Sequence, residues 1–420
     1  MGKQRKGIKI MDTKQAAWKR QAILFLTSQF ITLFGSTLVQ MAIVWYVTIQ
    51  TLSGMWVAAF TVCSYLPQFL ISFAAGVWAD RYSRKKLIIG ADSLIALATF
   101  LMVLAIPHIT DQTVILGSLL VMSAIRSFGA GIQTPAVNAV LPQFVPEDQI
   151  MRFNGINATM QSVVQFAAPA AAGALLTINT LNSTLIIDIA TAIAGIGLLS
   201  AVMIPKQAAQ NRGTSVWKDM KTGIQYTLSD KLIGNLLTVY GFFIFLCVPA
   251  GFLSQLFVSR VYGETYWYLT AVELAGFIGM AAGGLLMSVW GGFKSRVTTV
   301  SVGLLVFGAL AIGMGLSKQF ALYLVLMVIY GVAITMVQTA TTTLIQEKAE
   351  MSMQGRVFGL LGTMYAGFLP VGMAIFGPMA DAISLQWIMM GSGIALIALS
   401  VFVGANKEMR LHEKPPVQPR

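Results

Sequence analysis

The residues of this chain with the clearest chemical potential are a few ionisable side chains inside long apolar runs. They are Glu273, Asp188, Asp92 and Arg126. A charge in such a run is costly unless it faces a partner or a water-filled cavity, so each is a candidate functional residue. A carboxylate there can take up a proton on one side of a membrane and release it on the other, which drives exchange. Glu273 could instead contact a substrate, Asp92 and Asp188 could join helices, and Arg126 could form a structural ion pair with Asp92 or Asp188.

Other kinds of chemistry find little support in the sequence. His108 and His412 have no carboxylate or Cys at ligand spacing, so we expect no metal site. An intramembrane enzyme would need a nucleophile–base pair or metal ligands within the apolar runs, and none is evident. A sensor would need an appended soluble domain, and the polar segments are short. We therefore expect neither an enzyme nor a bound cofactor.

The elements that carry these residues are predicted to be transmembrane helices. The composition is 56% hydrophobic and 10% charged, outside the range of soluble globular proteins. Uncharged stretches such as 22–49, 153–187 and 319–346 exceed the roughly 20 residues that cross a bilayer core. The sequence predicts an all-α polytopic membrane protein with 12 spans, centred near residues 34, 67, 98, 123, 166, 193, 246, 276, 305, 332, 366 and 394.

The basic residues predict the orientation of these spans. With both termini in the cytoplasm, every one of the 28 Lys and Arg residues except Arg126, Arg260 and Lys318 lies on the cytoplasmic side. Basic segments resist translocation, so this bias sets the topology of a multi-pass protein of a bacterial-type cytoplasmic membrane. The net charge of +12 then reflects topology and contact with anionic membrane lipids rather than nucleic-acid binding.

The chain is predicted to contain two copies of one six-helix design. Short matches recur at an offset of about 204 residues, among them Arg152-Phe-Asn-Gly155 and Arg356-Val-Phe-Gly359. After six helices the chain is back on the side of the membrane where it started. A second copy of the unit therefore has the same orientation, which is the parallel repeat found in alternating-access carriers. The predicted parts are a basic tail (1–20), two bundles (21–203 and 232–405), a linker with an amphipathic helix (204–231) and a second tail (406–420).

The strongest local motif follows the second span. Its members are Gly76, Asp80, Arg81, Arg84 and Lys85, and the run resembles the Gly-x-x-x-Asp-Arg-x-Gly-Arg signature of the major facilitator superfamily. Ser83 stands where that signature has Gly. The resemblance implies a cytoplasmic gate in which Asp80 faces the start of the eleventh span, near Arg356. The alternative is a solvated charge cluster.

Further motifs resemble those of drug–proton antiporters in this superfamily. The run Arg126-Ser-Phe-Gly-Ala-Gly131 is similar to their second motif, which implies that Arg126 tunes proton exchange. Pro169 and Gly173 in the fifth span, with Gly367 and Pro370 in the eleventh, are candidates for helix bending and packing. Ordinary packing is the alternative for both pairs.

Residues 18–404 as a whole resemble the macrolide-efflux (Mef-type) exporters of this superfamily, through runs such as Leu38-Val-Gln-Met-Ala-Ile-Val-Trp-Tyr46. The resemblance implies a proton-driven exporter of macrolides or similar amphiphiles. We expect the protein to be a monomer. The alternative is an exporter or flippase of a lipid-like molecule or a siderophore. We expect a central cavity for a large, mostly apolar ligand, lined from Gln40, Tyr46, Gln161, Gln165, Phe242, Tyr330, Gln338 and Tyr365.

Overall fold

The computed structural model describes residues 2–140, 143, 145–178, 180–204, 216–406 and 409. Within its helices, the side chains of residues 2–17, 73, 80, 147, 148, 151, 216–221, 223 and 352 lie outside the description. The described residues form helices joined by short turns, and they include no strand.

Fourteen α-helices follow one another along the described chain. The first six are α1 (Gly2–Thr51), α2 (Gly54–Arg81), α3 (Arg84–Ala105), α4 (Gln112–Val140), α5 (Glu147–Ile178) and α6 (Leu181–Ala201). The next three are α7 (Val216–Ser229), α8 (Lys231–Gly251) and α9 (Ser254–Val261). The last five are α10 (Tyr266–Trp290), α11 (Arg296–Leu316), α12 (Phe320–Lys348), α13 (Met351–Ala382) and α14 (Leu385–Ala405).

Twelve segments among the described residues are long and apolar enough to cross a membrane. In a bilayer every backbone N–H and C=O must be satisfied within the protein, and a helix does this within one segment. The predicted fold class, an all-α protein with 12 spans, is therefore confirmed. α7 adds a short helix inside the stretch where the sequence predicts an amphipathic one.

Two helices differ from the expected layout. α1 begins at Gly2 and so includes the basic segment that precedes the first span. The seventh span, Lys231–Val261, is divided into α8 and α9 by a break at Phe252 and Leu253. Pro249 and Gly251 lie just before this break, and both residue types weaken a helix.

The chain folds into two compact units. One contains Met1–Val44 and Cys63–Arg212, and the other contains Trp45–Val62 and Gly213–Arg420. Within the first unit α3 packs against α4 and α6, and within the second α11 packs against α12 and α14 in the same manner. The hairpin that joins α1 to α2 belongs to the second unit, although it lies early in the sequence.

Candidate functional site

A buried ion pair lies inside the first unit. Arg126 of α4 binds Asp188 of α6 through a short contact between Nη1 and Oδ2 and a second one, of 3.4 Å, between Nη2 and Oδ1. Arg126 is 9% exposed and Asp188 is 2% exposed. Thr99 of α3 accepts from Arg126 Nη1 at 2.5 Å and donates to Asp188 Oδ2 at 3.0 Å. Three helices thus meet at two charges that compensate each other.

Close helix packing surrounds this pair. A Cβ atom added at Gly35 of α1 would lie 1.9 Å from Thr191 Oγ1 and 3.3 Å from Asp188 Oδ1. Ser28 of α1 donates to the Gly195 carbonyl of α6 at 2.9 Å. α1 therefore covers Asp188 closely, and the absence of a side chain at Gly35 makes this approach possible.

Asp92 of α3 is the second buried carboxylate of this unit, at 4% exposure. Gln133 Nε2 of α4 donates to its Oδ1 at 2.6 Å. Its Oδ2 has no hydrogen-bond partner within the described part of the chain. A buried carboxylate oxygen without a donor is unusual, and it sets Asp92 apart from the ion-paired Asp188.

A cavity of about 390 Å³ opens beside the ion pair, and Arg126 forms part of its wall. Its lining comes from helices of the first unit and is rich in carboxamides. The glutamines are Gln29, Gln40, Gln68, Gln133, Gln161 and Gln165. Asn138 and Asn157 add two more carboxamides, and hydroxyl groups come from side chains such as Ser36, Ser64 and Thr134.

The residues predicted to line a substrate cavity divide between the two units. Gln40, Gln161 and Gln165 line the cavity of the first unit. Tyr46, Phe242, Tyr330, Gln338 and Tyr365 belong to the second unit. There Tyr330 packs against Phe307 with ring centroids 4.1 Å apart, and Phe242 lies 6.1 Å from Phe368. The lining in the first unit is more polar than the expected site for a mostly apolar ligand.

Glu273, the remaining candidate proton carrier, lies on α10 in the second unit and is partly exposed. Gln255 of α9 donates from Nε2 to its Oε2 at 3.1 Å. Gln255 itself is 9% exposed. The break between α8 and α9 thus brings a carboxamide to this carboxylate.

Two of the predicted gate residues, Arg84 and Lys85, bind helix ends in their own unit. Arg84 donates to the carbonyls of Ala79 at 3.0 Å and Ala139 at 2.5 Å, in the last turns of α2 and α4. Lys85 Nζ donates to two carbonyls at the end of α6, at 2.7 and 2.8 Å. Cations suit these positions because the carbonyl ends of helices carry partial negative charge.

The other predicted gate and packing residues have varied surroundings. Arg81 is exposed, Arg356 Nη1 contacts Met353 Sδ at 3.1 Å, and the side chain of Asp80 lies outside the described residues. Pro169, Gly173 and Pro370 are buried within α5 and α13. A Cβ at Gly76 or Gly367 would meet no described atom within 4 Å, and the bending or packing role of Gly367 stays a prediction.

One polar cluster was missed by sequence reasoning. In the second unit, Asp381 near the end of α13 accepts hydrogen bonds from the backbone N–H of Gly54 at 2.7 Å and of Met55 at 2.9 Å. Arg260 of α9 binds Asp381 at 2.6 Å and donates twice to the Leu52 carbonyl, at 3.0 and 2.6 Å. We call these residues the hairpin clasp. The sequence offered one signal for this cluster: Arg260 is one of the few basic residues not predicted to lie on the cytoplasmic side.

The helix packing in the clasp is also close. A Cβ at Gly54 would lie 2.2 Å from the Gly377 carbonyl oxygen, and one at Gly377 would lie 2.3 Å from Ala58 Cβ. Leu52, at the turn, has a φ of +46°, which a side-chain-bearing residue seldom adopts. The start of α2 is therefore held against α13 by both shape and charge.

Twelve spans, charged groups held between them and a polar cavity define a multi-pass membrane protein with the features of a transporter. Within the described part of the chain, no group of three or more His, Cys, Asp or Glu side chains could hold a metal ion. The profile of the Major Facilitator Superfamily matches residues 25–370, and the chain belongs to this superfamily. This family and its fold point to a transporter rather than an enzyme.

Relatives within the superfamily include macrolide exporters. Macrolide efflux protein A of Streptococcus pyogenes is 28% identical over 397 residues, covering 94% of this chain and 97% of that protein. Macrolide efflux protein A of Enterococcus faecalis is 28% identical over 321 residues, covering 76% and 98% respectively. A solved structure of a nucleoside transporter NupG variant has a TM-score of 0.71 at 13% identity, covering 92% of this chain and 99% of that one, which shows likeness of fold. The resemblance stated from the sequence is confirmed.

Proposed function

We propose that this protein exports an amphiphilic small molecule of the macrolide type from the cell by proton antiport. The observation that carries the proposal is the buried Arg126–Asp188 pair, whose arginine lines a cavity of about 390 Å³. The cavity has the size typical of small-molecule sites. Both termini lie in the cytoplasm in this proposal, which rests on the distribution of basic residues. The exporter works as a monomer with the proton gradient as its driving force and no cofactor.

The proposed coupling step is a change in the charge of Asp188. When a proton binds a carboxylate oxygen of Asp188, the side chain becomes neutral and no longer compensates Arg126. The guanidinium charge then faces the cavity with Thr99 as its remaining partner at this site. A buried charge without its counter-ion is costly, so the local structure and the affinity for ligand change together. Loss of the proton to the opposite side restores the pair.

The relatives support the choice of substrate class. Two of them are named for macrolide efflux, and each shares 28% of its aligned residues with this chain. Glu273 is a second candidate carrier because it lies within a span and has one carboxamide donor, Gln255. Asp92 is a third, since one of its oxygens has no donor among the described groups.

Reconstitution into liposomes with an imposed pH gradient tests the proposal. A labelled macrolide should move against its concentration gradient when the pH difference is present, and movement should stop when an ionophore collapses it. Glu273→Gln, Asp92→Asn and Asp188→Asn would be compared in the same vesicles. We expect Asp188→Asn to retain facilitated, gradient-independent movement and to lose gradient-driven accumulation.

Two results would contradict the proposal. Macrolide movement that ignores the pH gradient in the unaltered protein would exclude proton antiport. Full gradient-driven transport by Asp188→Asn, together with its loss in Glu273→Gln, would transfer the coupling role to the second unit.

A further inference from the structure

The cavity of the first unit has many hydrogen-bonding side chains among its lining residues, beside apolar ones such as Leu33, Met41 and Val137. Ligand sites in proteins are usually apolar with a few polar groups. Here eight carboxamides face one space, six of them from glutamine and two from asparagine. Each carboxamide offers both an N–H donor and a C=O acceptor. Hydroxyl groups on a ligand are likewise donors and acceptors, so the two kinds of group are complementary.

The charges at this cavity are already compensated. Arg126 is the one charged side chain among the lining residues that the structure describes, and its guanidinium binds Asp188. Asp92 lies behind the lining and accepts from Gln133, which does reach the cavity. A cationic group on a ligand would therefore find no free carboxylate in the described lining. An anionic group would have to displace Asp188 from Arg126.

One lining residue, Gln29, is buried but has a side-chain N–H group without a hydrogen-bond acceptor among the described residues. Gln29 of α1 is 8% exposed, and its Nε2 has no hydrogen-bond partner among the described residues. Leaving a buried amide donor unsatisfied costs about 1–3 kcal/mol. Gln29 borders the cavity, so a rotation of its side chain would bring this buried N–H to a ligand oxygen there.

We propose that this cavity binds the uncharged, hydroxyl-rich part of the exported molecule, such as a glycosyl ring, through neutral hydrogen bonds that include one to Gln29. The inference rests on the proposed function and names the ligand group that the first unit recognises. Recognition here does not depend on a basic nitrogen in the ligand.

Equilibrium binding to the full chain in lipid nanodiscs, at one pH and without a gradient, tests this assignment. The probes are three labelled ligands built on one macrolactone: one with an uncharged sugar, one without a sugar, and one with a tertiary amine in place of the sugar. We expect the sugar-bearing ligand to bind at least about tenfold tighter than the other two. Gln29→Leu should weaken the sugar-bearing ligand about tenfold, which is about 1.4 kcal/mol, and leave the sugar-free ligand unchanged.

A second variant and a matched control separate binding from folding. Gln161→Leu alters an exposed lining residue of α5 and should give the same selective loss. Gln319→Leu makes the same chemical change at an exposed site just before α12 and should leave all three affinities unchanged. Tightest binding of the amine ligand, equal losses for all ligands, or no binding that depends on the sugar would overturn the assignment. The last result would make the cavity a water-filled space.

The assay also separates this inference from the proposed function. Sugar-dependent binding together with transport that ignores a pH gradient would remove proton antiport and leave the cavity assignment standing. Gradient-driven macrolide transport, together with binding that depends neither on the sugar nor on Gln29, would support proton antiport and overturn the cavity assignment.

Discussion

Removing one charge of the Arg126–Asp188 pair should cost more stability than removing both. In Asp188→Asn the guanidinium keeps its charge in a site where both partners are less than one-tenth exposed. Breaking a buried pair in this way costs about 3–5 kcal/mol, because an uncompensated charge stays buried. In the double variant Arg126→Met, Asp188→Leu no charge remains. With Asp188 replaced, the Thr99 hydroxyl donates to the Ile95 carbonyl instead, so we expect stability within about 1 kcal/mol of the unaltered protein, or above it.

The assay is denaturation of the purified variants in one detergent, with differences in unfolding free energy taken against the unaltered protein. Glu347→Gln provides the matched control, since it removes one charge from the exposed pair that Glu347 forms with Arg296. Exposed pairs contribute about 0–1 kcal/mol, so this control should barely change stability. The reasoning is refuted if Asp188→Asn is as stable as Glu347→Gln, or if the double variant is as unstable as Asp188→Asn.

Transport by the double variant adds a functional test. It should fold and insert as well as the unaltered protein, yet show no gradient-driven accumulation of a labelled macrolide, because neither group of the pair can carry or sense a proton. Gradient-driven transport at the normal rate would show that the pair is structural.

Three further predictions concern the hairpin clasp and the helix ends. Asp381→Asn removes a charge that accepts hydrogen bonds from two N–H groups, so unfolding in denaturant should show a loss of about 2 kcal/mol. Gly54→Ala places a Cβ 2.2 Å from the carbonyl oxygen of Gly377 and should cost roughly 1–3 kcal/mol, whereas Gly391→Ala, with open space around its Cβ, should not destabilise. Lys85→Met frees two carbonyls at the end of α6, and hydrogen exchange of that last turn should become faster while the middle of α6 is unchanged.

The number and length of the spans could be predicted because apolar length is readable from the sequence directly. A helix must cover the whole hydrocarbon thickness, so a long uncharged stretch such as 319–346 indicates a span. The division of the seventh span into α8 and α9 was not predicted. Its apolar run continues through Pro249 and Gly251, and hydropathy alone gives no sign of the break.

The pairing of the buried charges was only partly predictable. The sequence shows that Arg126, Asp188 and Asp92 lie in apolar runs, where an unpaired charge is unfavourable. Their positions in the predicted helices did not decide which aspartate pairs with Arg126. The packing of α3 against α4 and α6 decides the matter in favour of Asp188, and Gln133 then satisfies one oxygen of Asp92. Such choices depend on helix rotation, which a single sequence does not specify.

The polarity of the cavity was harder still to foresee. Gln40, Gln161 and Gln165 were expected in a lining, but Gln68 and Gln133 were not assigned to one. Isolated glutamines in apolar runs look like occasional helix-pairing residues. Their convergence on one space follows from the tertiary packing of four helices.

The hairpin clasp has a consequence for the insertion of the nascent chain into the membrane. Ser53 Oγ and Asp381 Oδ2, which are 2.7 Å apart, come from residues separated by 328 positions in the chain. During synthesis, most of the later spans must therefore be made before Asp381 is available to accept hydrogen bonds from the α1–α2 turn. Until then the N–H groups of Gly54 and Met55 must be satisfied by water or lipid headgroups. The turn therefore gains its final hydrogen bonds only when the eleventh span is complete, and a chain truncated before Asp381 would leave the N–H groups of Gly54 and Met55 without this carboxylate.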